Sequence, residues 1–234
     1  MKYYYIMIGA RFILAVALAI LMGSGSVVAF NHMPSHWFND DGKLPEDIQQ
    51  RQRVPGNPWK FVFTGVLGVC GLYMAAVDTL QYELAVLFVL FIVLEMAIAD
   101  WKYMVVPDQL NILLAVSALG FVGMNEKWWE PLAGAGAGLV LGIALLALGY
   151  LVFHREAIGG ADLKFLAAMG LVAGRSGILW IFVLTTLAGA FHGLYLVAFR
   201  GVSLREHKPM LPYGFVGTAF YFVLLKDYLE VLSL

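Results

Sequence analysis

The chain has 234 residues, of which 61% are hydrophobic and 13% charged, with a net charge of −1 and a mean hydropathy of +0.80. A soluble domain of this size cannot hide so much apolar surface in its core, and a near-neutral chain offers no basic field to nucleic acid. The single cysteine, Cys70, excludes an intramolecular disulfide and any zinc site built from cysteines. Composition therefore points to an all-α fold, a polytopic α-helical membrane protein.

A membrane-crossing helix needs about 20 predominantly apolar residues. The first such run, over residues 5–30, opens on "KYYYIMIGAR" and carries a small-residue "MGSGS". It shares features with a signal peptide, but it is long for one and no small-x-small cleavage site follows, so residues 1–30 are read as a first transmembrane helix. Residues 31–59 are polar, with four prolines, "NHMPSHWFNDDGKLPEDIQQRQRVPGNPW", and read as a loop with at most a short helix. Residues 60–234 form the membrane core. Further spans are expected at 60–77, 84–100, 109–124, 131–153, 178–199 and 212–231, with a short apolar piece at 163–173. The total is about seven or eight spans. The small residues of "GAGAGLVLG", 134–142, read as a helix-packing surface.

Lys and Arg collect in loops on the cytoplasmic side of a membrane. With eight spans and the 31–60 loop cytoplasmic, that side holds Lys43, Arg51, Arg53, Lys60, Lys102, Arg155, Lys164, Arg200, Arg205 and Lys208. The other side holds Lys2, Lys127, Arg175 and Lys226. This bias puts "ADWKYMVVPD" and "HREAIGGAD" on the same, cytoplasmic, face.

Those two segments carry the acids of interest. A carboxylate at a membrane boundary is costly, so function is the default reading. Asp100 ends an apolar run. Asp108 follows Pro107 and opens another, which suits a helix N-terminus. Asp162 follows Gly159, Gly160 and Ala161 and precedes a helical run, where an N-cap would also suit it. Capping does not explain the two glycines, which permit unusual backbone angles and close approach of another chain. Lys164 could hold one carboxylate ionised, but is read as a lysine reaching for the interface. Two aspartates on one face form an acid–base pair sharing one proton, which is aspartyl-protease chemistry without metal or covalent intermediate.

At these residues the chain resembles the type IV prepilin peptidases, integral membrane aspartyl proteases. In that family the first catalytic aspartate ends a span and a Pro-Asp pair follows, as Asp100 is followed by "VVPDQL". The second lies in a Gly-x-Gly-Asp motif followed by lysine, as Asp162 lies in "GGADLKFLAAMG". "GSGSVVAFNHMP", 23–34, and "LPYGFVG", 211–217, resemble two further family signatures. The resemblance implies catalytic roles for Asp100 and Asp162, with Gly159, Gly160, Ala161, Lys164, Pro107 and Asp108 as substrate-binding or motif support.

The resemblance also implies the substrate, a prepilin or pseudopilin with a basic leader and a hydrophobic helix. The enzyme would be an aspartic-type endopeptidase in the lipid bilayer of the inner (cytoplasmic) membrane, multi-pass, cutting at the cytoplasmic face. No cofactor is needed for proteolysis. Many bacterial relatives also methylate the new N-terminus with S-adenosylmethionine, an activity the resemblance leaves open here. Ala161 replaces the motif's second glycine, and Val27 and His32 replace the usual Asn and Arg of the first-span signature. The two Cys-x-x-Cys pairs that bind zinc in many relatives are missing from the 31–59 loop, and His32 and His36 alone do not make a metal site. A small transporter with acids in its pathway would place them near mid-span and leaves the motif context unexplained. A presenilin-like protease would need Tyr-Asp and Pro-Ala-Leu motifs, which these segments lack.

Overall fold

The computed structural model describes residues 2–39, 45, 47–50, 52–125, 127–154, 159–201 and 208–228. They form α1 (Lys2–His32), α2 (Trp59–Val77), α3 (Leu80–Tyr103), α4 (Asp108–Ser117), α5 (Glu130–Phe153), α6 (Gly160–Arg200) and α7 (Leu211–Phe220). A 3-10 turn, Ala118–Phe121, prolongs α4, and a π turn, Tyr221–Leu225, prolongs α7. Helices α1, α2, α3, α5 and α6 are long and apolar enough to cross a membrane, whereas α4 with its extension is shorter. The protein is an all-α polytopic membrane protein. Of the cations used to assign its faces, Lys43, Arg51, Arg155 and Arg205 lie outside the described residues.

Helix α3 is the centre. Its side chains from Val86 to Asp100 are largely buried, while the outer helices turn apolar residues such as Leu21, Val69, Val140 and Leu151 outward. That all-round apolarity is what a helix surrounded by lipid requires. Thr79 caps the start of α3 by accepting from the Tyr82 N–H at 3.3 Å, and Glu83 in its first turn pairs with Arg11 of α1 at 3.1 Å. At the other end Met104 takes a left-handed φ of 55°, and Pro107 sets the start of α4.

The small-residue stripe packs α5 against α6 with the backbones in contact. A Cβ at Gly134 would lie 2.0 Å from the Gly170 carbonyl oxygen, and one at Gly138 would lie 2.1 Å from that of Leu166. Gly142 faces Leu163. The start of α6 therefore lies level with the middle of α5. Helix α5 then continues from Ile143 to Phe153, about 16 Å further at about 1.5 Å per residue. Helix α6 is interrupted once, at Gly174, whose φ of 72° and ψ of −179° suit glycine alone. The expected pieces at 163–173 and 178–199 are thus two arms of one element.

The polar segment after α1 folds onto the end of α3. Among its described residues is one short helix, a 3-10 turn at Ser35–Phe38. Asn31 clamps the backbone of Val54, donating to its carbonyl at 2.9 Å and accepting from its N–H at 2.8 Å. The buried Arg53 donates to the carbonyls of Ile48 and Phe30 and lies over the Phe38 ring. The rings of Phe30, Phe38 and Tyr103 pack together. Lys102 pairs with Asp47 at 2.7 Å and donates to the Arg53 carbonyl. His32 is tied to the Val28 carbonyl at 2.8 Å.

Candidate active site

Asp100 occupies the last turns of α3 and is 7% exposed. Its Oδ2 accepts from the Leu211 N–H at 2.8 Å, and the Met210 N–H is also directed at it. Leu211 opens α7, and Pro212 follows it. The first N–H groups of a helix have no partner within it, and the helix dipole is positive there. The carboxylate of α3 thus satisfies the start of α7, which is why Leu211 can be fully buried.

Asp162 lies in the first turn of α6. It is not the N-cap, as its sequence context suggested; Gly159 holds that position. The Asp162 Oδ2 reaches back to accept from the Gly159 N–H at 3.2 Å, while the Gly159 carbonyl accepts from Asp162 and Leu163. Asp100 is close enough for its charge to act on Asp162. The two aspartates that the sequence singles out are thus within electrostatic reach of each other, one at the end of α3 and one at the start of α6.

The supporting residues differ more from expectation. Asp108 opens α4 behind Pro107 but makes no capping hydrogen bond. Its carboxylate instead accepts from Lys164 at 2.7 and 2.9 Å. Lys164 is therefore not simply reaching for the interface: it ties the Pro-Asp segment to the helix that carries Asp162. Gly159 has an ordinary φ of −79°. What the glycines provide is space, since a Cβ at Gly160 would meet nothing within 4 Å, and one at Gly159 only Asp162 Oδ2 at 3.8 Å. Ala161 is partly buried against the core.

Two features escaped the sequence. The backbone donors at Met210 and Leu211 have no side-chain signature, although the "LPYG" that follows marks a helix start. Glu95, inside the third apolar run, is 1% exposed with Ser26 at its side. A lone acid in such a run was the available signal.

A carboxylate pair of this kind, one member held by backbone donors and the other beside open space, suits acid–base work on a carbonyl substrate. Residues 85–194, which include both aspartates, match the Type IV leader peptidase family. The chain is 26% identical over 130 residues to the prepilin leader peptidase/N-methyltransferase of Bacillus subtilis, covering 55% of this chain and 50% of that protein. It is 29% identical over 136 residues to the protein of the same name from Aeromonas hydrophila, covering 56% and 46%. With that of Xanthomonas campestris it shares 31% over 119 residues, covering 49% and 40%. The chain spans about half the length of the curated relatives it matches. No solved structure matches it. Over the segment that carries Asp100 and Asp162, the chain is similar to the Type IV leader peptidase family.

Proposed function

We propose that this protein is a membrane aspartyl endopeptidase that removes the leader from a prepilin or pseudopilin, with Asp100 and Asp162 as its catalytic residues. What supports this reading is that the two aspartates, at the end of α3 and the start of α6, lie within electrostatic reach of each other and inside the matched segment. Like charges so placed hold one proton between them. One carboxylate takes a proton from water as it attacks the scissile carbonyl, and the other donates its proton to the carbonyl oxygen. Collapse of the tetrahedral intermediate returns a proton to the leaving amine and breaks the C–N bond.

The open space beside Gly159 and Gly160 would admit the extended backbone that this attack requires. The substrate's basic leader would stay in the cytoplasm and its apolar helix in the inner-membrane bilayer. Lys164 and Asp108, with Pro107 before Asp108, hold the two motifs in register.

S-adenosylmethionine, which the name of the relatives implies for them, needs polar partners for its ribose and its charged groups. The groove that reaches Trp101, next to Asp100 in the chain, is walled by residues such as Val62, Phe63, Leu94 and Phe215. Among the described residues that apolar lining does not fit such a group.

Co-expression with a prepilin-like substrate tests the reading. Leader removal, read by intact mass, should occur with wild type and be lost in Asp100→Asn and Asp162→Asn proteins that remain folded in the membrane. Processing at the wild-type rate by either variant would refute the assignment.

A further inference from the structure

Helices α2 and α7 both lie against α3, on either side of one of its faces, and run parallel to each other. α2 rests mainly on α1, whereas α7 rests on α3 and α6, so a furrow opens between them. Its first section is a cavity of about 300 Å³ floored by Leu94, Ala97, Ile98 and Trp101 of α3. The next, about 490 Å³, shares Val66 and Phe215 with the first and descends past Cys70 to Tyr73 and Leu224. A third section shares Tyr73, Val223 and Leu224 with the second and ends among Asp78, Lys226 and Asp227. These sections make one furrow, apolar until its far end. From Trp59 to Tyr73 along α2 it measures about 20 Å at about 1.5 Å per residue.

We propose that this furrow is the docking site for the apolar helix of the substrate, which rests on the peptidase reading above. Three observations choose that occupant. The furrow begins next to Asp100, since Trp101 and Pro212 in its first section follow directly on Asp100 and on the Leu211 that donates to it. Its length takes about four turns of helix and covers most of the roughly 30 Å apolar thickness of a bilayer. Its walls present Val62, Val66 and Val69 on one side and Phe215, Ala219 and Val223 on the other, a surface that packs against aliphatic side chains and pairs with no charge. A helix seated there ends at the level of Asp100, so its preceding extended residues pass over Pro212 to the aspartates.

The protein's own Cys70 lines the furrow and supplies the probe. The substrate is a prepilin-like polypeptide with a lysine-rich leader, a glycine at the cut and a Leu/Ala helix carrying one cysteine at mid-length. Oxidative cross-linking in proteoliposomes should join that cysteine to Cys70. Adducts between two Cys70 thiols only, or no adduct from any cysteine position along the helix, would overturn the proposal.

A second measurement compares kcat/KM for this substrate with that for a short soluble counterpart ending a few residues beyond the glycine. Val66→Trp and Val216→Trp, at positions 40% exposed, fill the furrow. They should lower the ratio of helical to short substrate at least tenfold, whereas Val140→Trp on the outer face of α5 should leave it at the wild-type value. An unchanged ratio in both furrow variants would overturn the proposal. Failure of wild type to cut either substrate would instead remove the peptidase reading and the furrow assignment with it.

Discussion

Asp108 and Asp100 flank a single turn of chain, yet their surroundings separate them. Asp100 is buried and held by the backbone of α7, whereas the Asp108 and Lys164 side chains are 60% and 55% exposed. An exposed ion pair contributes at most about 1 kcal/mol. Lys164→Met should therefore lower the thermal midpoint little and slow cleavage by less than about tenfold, far less than either catalytic variant. A loss as deep as that of Asp162→Asn, measured by kcat/KM, would mean that Lys164 acts in the chemistry.

Asp47, in the polar segment, gives a pH prediction. Lys102 bonded to its carboxylate holds its pKa below the ordinary 3.8. A depressed native pKa adds stability that is present above 3.8 and is lost as pH falls through the native value. Wild type should melt above Asp47→Asn at pH 7, and the two midpoints should converge well below pH 3.8. A difference that persists there would show that the contact works through packing. At this scale the sequence displayed the acids themselves, because their cost in an apolar chain singles them out. It could not display their partners: Lys164 with Asp108 and Asp100 with Leu211 are joined across elements, and backbone donors leave no mark in a residue string.

Among the elements, the α5–α6 pair is the most exacting. Gly138 and Gly136 look alike in sequence, but only Gly138 touches the facing backbone; a Cβ at Gly136 would meet nothing within 4 Å. Gly138→Leu should destabilise the folded protein by about 1–3 kcal/mol or more, through forced separation of the helices. Gly136→Ala should be neutral or stabilise by about 0.5–1 kcal/mol. Unfolding in detergent–urea mixtures, read by circular dichroism, distinguishes them, and equal effects would contradict the packing. The helix ends were legible to within a few residues, because apolar runs bounded by Pro and Gly leave little freedom. That the stripe sets the level of Asp162 was not legible, since period alone does not reveal the partner helix.

For the whole molecule, the heights of the helices matter most. Asp162 starts level with Gly142, and α5 rises about 16 Å beyond it. Gly189 of α6 packs on the Tyr213 ring, close to Leu211 and thus to Asp100, and α6 likewise continues to Arg200. The rising arms expose Leu151, at 78%, and Phe199. Apolar arms of that height predict that the aspartates lie below the membrane surface, in a recess, rather than at the boundary their position at helix ends had suggested. In a Cys70→Ser background, a spin label at Leu151→Cys should be relaxed by oxygen more than by a water-soluble nickel chelate. The reverse order would put the arms in water and the aspartates at the surface.

The central claim is that Asp100 and Asp162 act as one unit on a peptide bond, and kcat/KM in proteoliposomes tests it most directly. Wild type, Asp100→Asn, Asp162→Asn and the double variant are compared on one prepilin-like substrate. Each single change should cost about a thousandfold or more, and the double variant should fall no further, because a pair that shares one proton fails when either member is lost. A single variant that keeps the wild-type rate, or losses that multiply in the double variant, would contradict the account.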